Sequence, residues 1–233
     1  MTRHFCNFTS RFREKDHLCL TVGICLLAIA VLIFAGIASN ALSDTWLSLL
    51  DVEISNWLHA RSTPALTAIM LLITEIHRPF GISIMASVCA LVLGWQKRWY
   101  ALLVLAMAVP GGLLLNLLLK NVFQRARPVF DEPLLILTTY SFPSGHALGS
   151  TVFYGTLAAF AYWYVPDWRW RLLAFTGSVL MITLVAFTRI YLGVHYFSDV
   201  LAGIMEGLAW LAFCLIVVDI LRKSFGTSTS NRL

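Results

Sequence analysis

Apolar runs of about 20 residues, enough to cross a bilayer as a helix, recur between residues 18 and 221. Only 12% of the 233 residues are charged and 59% are hydrophobic, against about 25% charged in soluble domains. So little charge cannot clothe a water-facing surface, so the expected fold is an all-α, polytopic membrane bundle, one domain in extent. The net charge of +5 does not point to nucleic acid as a partner, because most basic residues sit in short loops and tails. There they read as orientation signals and contacts to anionic lipid.

Residues 1–17 are polar and basic, with Arg3, Arg11, Arg13 and Lys15. The first apolar run, 18–38, ends near Ser39-Asn40-Ala41, which resembles a cleavage site. It is longer than the roughly 7–15 residues of a secretory apolar core, so a retained span is expected. Leu47, Leu50, Ile54, Trp57 and Leu58 recur at helical spacing within 39–63 and predict an amphipathic interfacial helix that Pro64 ends. The stretch 65–76 is short for a crossing and is followed by the polar break Glu75–Gly81. It reads as a helix half buried at one surface (65–78), with the second span at about 79–95. Further spans are predicted at 99–119, 146–165, 172–188 and 200–221, with a kink at Pro110-Gly111-Gly112. The expected organisation is a basic tail (1–17), a six-span domain (18–221) and a C-terminal tail (222–233).

Six spans place both termini, Lys97/Arg98 and Arg169/Arg171 on one side, which the positive-inside rule makes cytoplasmic. The polar loops 120–145 and 189–199 then face outward together, at the periplasmic or extracellular side of a cytoplasmic (inner) membrane. Lys120, Arg125, Arg127 and Arg189 in those loops run against the charge bias and need another reason to be there. Trp46, Trp57, Trp95, Trp99, Trp163, Trp168 and Trp170 fall at predicted span ends, as an aromatic belt does. Cys6, Cys19, Cys25, Cys89 and Cys214 show no metal or redox spacing and read as free thiols.

Three polar stretches carry the chemistry. Lys120 and Arg127 are seven apart, about two helical turns, so both are expected to project to one side of the membrane surface. With Arg189 they suit a tetrahedral dianion, since arginine binds phosphate oxygens bidentately and lysine adds a point charge. Ser144-Gly145-His146 opens the fourth span. Ser144 is a natural N-cap, Gly145 permits close backbone approach, and the helix N-terminus favours an anion. His146 at that mouth can protonate a leaving oxygen. His195 and Asp199 are four apart, so on a helix the carboxylate would fix the imidazole tautomer and leave the other ring nitrogen to attack. An anion cradle, a general acid and an oriented nucleophile are what in-line phosphoryl transfer needs.

The order Lys120-(six residues)-Arg127-Pro128, Pro143-Ser144-Gly145-His146 and Arg189-(five residues)-His195-(three residues)-Asp199 resembles the type 2 phosphatidic acid phosphatase superfamily. That group includes bacterial lipid phosphate phosphatases, glucose-6-phosphatase and vanadium haloperoxidases. The resemblance covers roughly residues 65–221, and the six-span layout is similar to the bacterial phosphatidylglycerophosphatase B and undecaprenyl pyrophosphate phosphatase branch. It implies that His195 attacks phosphorus to form a phosphohistidine, that Asp199 orients His195, and that His146 protonates the leaving group and then activates water. It further implies that Lys120, Arg127, Arg189, Ser144 and the Gly145 N–H hold the phosphoryl oxygens, with no metal and no cofactor. One departure is Thr188 where the family usually has serine before the arginine; a hydroxyl for a phosphate hydrogen bond is expected to survive.

The expected substrate is a lipid phosphate or pyrophosphate, with undecaprenyl pyrophosphate and phosphatidylglycerol phosphate leading. A lipid phosphotransferase with the same site and a non-catalytic lipid-binding protein are the competing readings. Asp131 and Glu132 read as loop solvation rather than metal ligands. Glu75, His77 and Arg78 either line the mouth where a headgroup enters or form an interfacial polar hinge. Oligomeric state is left open.

Overall fold

The structure, a computed structural model, describes residues 3–43 and 45–230, with side chains from Leu20 to Ser224. The expected thiols of Cys6 and Cys19, the basic N-terminal residues and Arg232 lie outside the described side chains. The helices are α1 (Arg3–Ala41), α2 (Trp46–His59), α3 (Pro64–Ile76), α4 (Pro79–Trp95), α5 (Trp99–Phe123), α6 (Gly145–Tyr164), α7 (Trp168–Tyr191) and α8 (Phe197–Ser230).

Four helical stretches are long and apolar enough to cross a bilayer alone: Leu20–Ala41, Trp99–Phe123, Trp168–Tyr191 and Phe197–Ser224. The α3–α4 pair makes a fifth if the two, bent by 52° at their junction, form one span. Pro79 at the first position of α4 has no N–H with which to continue α3, which accounts for the bend. Val22, Leu26 and Leu32 on α1 and Leu91 on α4 are exposed, as lipid-facing side chains of an integral membrane protein are.

The sequence reading expected six spans. α4, expected to cross alone, qualifies only when joined to α3. The other difference is α6, where Gly149, Ser150, Thr151, Gly155 and Thr156 dilute the apolar residues. This helix packs against α5, α7 and α8. Its buried hydroxyls turn back onto its own backbone: Ser150 and Thr151 donate to the Ala147 carbonyl and Thr156 to that of Val152. α6 meets protein rather than lipid, so it needs small residues more than apolar ones. α8 comes close to it at Gly203, where a Cβ would lie 2.4 Å from the Ser144 carbonyl oxygen.

Two local expectations change. The interfacial helix is α2, shorter than 39–63, because α1 continues to Ala41. Its buried stripe is Leu47, Asp51, Ser55 and Leu58, while Trp57 is exposed. Pro110-Gly111-Gly112 does not interrupt α5. The Trp210 indole of α8 sits where a Gly111 Cβ would be, 2.6 Å away, and its N–H donates to the Met107 and Ala108 carbonyls. The core links α4, α5, α6 and α8 through Ile82, Val104, Leu148, Val152 and Cys214. Cys25, Cys89 and Cys214 are free thiols.

Candidate active site

The four chain segments that meet at one end of the bundle are the C-terminal ends of α5 and α7 and the N-terminal ends of α6 and α8. Backbone bonds tie the loops between them: Ser141 N–H to Arg125 O at 2.8 Å and Ser144 N–H to Asp199 O at 2.9 Å.

His195 and Asp199 do approach, but not as a pair on one helix. His195 lies in the turn before α8, and Asp199 is the third residue of that helix. Asp199 Oδ2 reaches back to accept from the Tyr196 N–H at 2.9 Å, the carboxylate half of a capping box. It lies 3.5 Å from His195 Nδ1, and the Ser141 hydroxyl, which donates to the same oxygen, is 3.4 Å from Nδ1. On the other ring edge Arg127 Nη1 is 3.2 Å from His195 Nε2. A guanidinium can only donate, so Nε2 carries the lone pair and Nδ1 the proton. That tautomer puts the ring's basic lone pair on Nε2, facing Arg127. Burial, then Arg127, Lys120 and Arg189, hold the His195 imidazole well below its ordinary pKa of about 6.5. It is therefore neutral at physiological pH.

Lys120 and Arg127 converge, though not by helical spacing. α5 ends at Phe123, Gln124 adopts a left-handed conformation (φ 48°), and Arg127 folds back from the extended loop. Lys120 Nζ donates to the Tyr140 carbonyl at 2.6 Å and the Ser141 carbonyl at 3.2 Å. Arg127 is braced by Thr139 O at 2.7 Å, Thr139 Oγ1 at 2.9 Å and Tyr140 O at 3.1 Å, and also by Val194 O.

Arg189 is 1% exposed. Its Nη1 bonds to Thr74 Oγ1 of α3, while Nε and Nη2 are buried without a protein partner. Ser144 Oγ and His146 Nε2 are in the same condition. Ser144 holds the N-cap position of α6, but its hydroxyl does not cap the helix, leaving it directed elsewhere. His146 lies within electrostatic reach of Arg189, His195 and His77. Gly145 is needed for a reason the sequence did not disclose: a Cβ there would come 2.9 Å from Asn116 Oδ1.

Thr188 departs from expectation. Its hydroxyl donates to Val185 O at 2.7 Å and lies 3.2 Å from Thr74 Oγ1, so it braces the threonine that holds Arg189 instead of facing a phosphate. The polar break after α3 divides. Glu75 and Arg78 form an exposed ion pair at 2.8 Å, whereas His77 is buried and bonds to Ile73 O and the Tyr154 hydroxyl, each at 2.7 Å. Asp131 and Glu132 are exposed on the loop. Sequence reasoning missed Thr74, Ser141 and Asn116, and it gave Arg125 and Asp51 no role. The one available signal was polar residues inside the apolar stripe of α2.

Residues 99–223 match the family model described as the PAP2 superfamily. The chain is similar to phosphatidylglycerophosphatase B of Bacillus subtilis, at 35% identity over 123 residues, 52% of this chain and 59% of that protein. It is 27% identical over 174 residues to an undecaprenyl-diphosphatase of Sulfolobus acidocaldarius, covering 72% of this chain and 78% of that one. Among solved structures, the first transmembrane PAP2 type phosphatidylglycerolphosphate phosphatase from Bacillus subtilis matches with a TM-score of 0.74 at 27% identity. That match covers 87% of this chain and 96% of the other.

Proposed function

The chain belongs to the PAP2 superfamily, whose family model matches more than half of it, and from that premise we propose that it is a membrane phosphatase acting on a lipid phosphate or pyrophosphate through a phosphohistidine. The observation that carries the reading is a set of buried polar atoms with no partner. Among the described residues there are seven, and four belong to Ser144, His146 and Arg189. Such groups cost about 1–3 kcal/mol each when left unsatisfied, and a bound phosphoryl dianion would satisfy these together.

In this reading His195 Nε2 attacks phosphorus, with Nδ1–H held by Asp199 and Ser141. The N–P bond forms as the bond from phosphorus to the lipid oxygen breaks. His146, once it has taken up a proton on Nε2 with the incoming phosphoryl dianion, gives that proton to the leaving oxygen. In the second step His146 takes a proton from water, the oxygen bonds to phosphorus, and the N–P bond breaks. Arg189 Nε and Nη2, the third Lys120 N–H, the Ser144 hydroxyl and the Gly145 N–H hold the equatorial oxygens. Arg127 turns the N–H now on His195 toward the phosphoryl group. No step calls for a metal or another cofactor.

The leading substrates are undecaprenyl pyrophosphate and phosphatidylglycerol phosphate. An apolar cleft of about 240 Å³ lined by Leu27, Val31, Phe34, Leu119, Glu206 and Phe213, between α1, α5 and α8, offers room for a lipid tail within the bilayer. With α6 as a sixth, protein-covered crossing and the α3–α4 pair as one span, the basic loops face the cytoplasm. The site then opens on the outer face of the cytoplasmic membrane. The test is release of inorganic phosphate from single purified lipid phosphates in detergent; a transferase lacking its acceptor does not release it. Activity is expected to persist in EDTA and to be inhibited competitively by vanadate, which mimics five-coordinate phosphorus. Loss of turnover in chelator overturns the metal-free mechanism.

The depressed His195 pKa sets a pH expectation. Attack needs the neutral ring, and a lowered pKa keeps it neutral further into acid. The acid limb of kcat/KM, which reports the free enzyme, is expected below about 6.5. Comparing a monophosphate with a diphosphate substrate separates substrate ionisation from that of the enzyme. A limb common to both and above this value counts against the assignment.

A further inference from the structure

We propose that Asp51, on α2, is a positioning residue for phosphoryl transfer: through Arg125 it fixes the place and the net charge of the carboxylate behind His195. The proposal rests on the phosphohistidine reading above. Asp51 is fully buried although α2 is an interfacial helix. Its Oδ1 accepts from the Ser198 N–H at 2.8 Å, and its Oδ2 accepts from Arg125 Nη2 at 2.8 Å and from the Ser198 hydroxyl. Arg125 Nη1 completes the link by donating to Asp199 Oδ1 and, at 2.8 Å, to Ser198 Oγ. The guanidinium also lies 4.4 Å over the Tyr196 ring, and the Arg125 carbonyl accepts from the Ser141 N–H at 2.8 Å. Ser141 in turn donates to Asp199. A closed ring of bonds therefore runs from α2 to both oxygens of Asp199.

The charges of this ring do not cancel. One guanidinium faces two carboxylates, leaving one negative charge next to an imidazole that becomes cationic as Nε2 bonds to phosphorus. Without Asp51, Arg125 would cancel Asp199 and no carboxylate charge would be left to offset that cation. The remaining charges facing His195 are Arg127 from the loop, Lys120 from α5 and Arg189 from α7, all positive, and the other titratable neighbour is His146 of α6. The second carboxylate thus works against three cations. Arg125, one of the four basic residues that break the charge bias of the outer loops, acquires a role that is not phosphate binding.

The test uses the full-length protein in lipid nanodiscs. Asp51→Asn keeps the side-chain shape and leaves Arg125 on Asp199. It is expected to lower kcat about tenfold, to leave KM within about twofold, and to shift the acid limb of kcat/KM to lower pH. Arg125→Gln, the second variant, removes a cation and is expected to shift the limb to higher pH. Either folded variant suffices. A limb that stays at the wild-type position, whatever happens to kcat, reduces Asp51 to a structural contact and overturns the proposal. Trapping of the wild-type phosphoenzyme tests the underlying reading separately: its absence fails that reading, whereas a trapped phosphoenzyme with an unmoved limb fails this one.

Discussion

Replacing His195 with alanine is expected to abolish turnover, by at least ~10⁴-fold, together with any acid-labile phosphoenzyme. The ring is enclosed, 2% exposed, and its Nε2 carries the lone pair that attacks in the proposed scheme. Neither Asp199 nor Ser144 could replace it. Asp199 is committed to Arg125, Ser141 and the Tyr196 N–H, and the Ser144 hydroxyl has no base in contact. The fold should survive, since the imidazole makes only long bonds, at 3.2 and 3.4 Å. The check is phosphate release and acid-quenched phosphoenzyme from wild type and variant, purified together with matched thermal unfolding. Wild-type-like rates in the variant would remove the nucleophile from the scheme.

Arg189→Met is expected to move activity and stability in opposite directions. The guanidinium is 1% exposed and bonds to Thr74 alone, with two of its nitrogens unpartnered. A buried charge short of partners is destabilising, and replacement by an apolar side chain of similar length is often stabilising by about 1–4 kcal/mol. Cations on the phosphoryl oxygens, in contrast, contribute about 10³–10⁵-fold to rate. The variant should therefore unfold at a higher temperature and lose about 10³-fold in kcat/KM. A drop in melting temperature would mean that Arg189 is a structural ion rather than a ligand held ready at the expense of stability.

The membrane class stood in the sequence, and so did the eight candidate residues that the structure gathers at one end of the bundle, because apolar length and motif order survive translation into structure almost unchanged. The geometric reasons given for them did not. Lys120 and Arg127 meet through a left-handed residue at Gln124, and His195 meets Asp199 across a helix start; neither turn leaves a spacing signature. α6 was expected to look like any span, yet its enclosure favours hydroxyls and glycines that weaken the hydropathy signal. The contribution of α2 was hidden for a different reason. Asp51 finds Arg125 and Ser198 across 74 and 147 positions of chain, a contact that no local pattern encodes.

The cleft between α1, α5 and α8 and the ring of cations share no residue. If the cleft takes the lipid tail as proposed, tail recognition and bond breaking are carried by separate surfaces. Side chains on α1 can vary with the length or branching of the lipid they accommodate, with no change where the proton and phosphorus move. A scaffold divided in this way would let one chemistry serve many hydrophobic carriers.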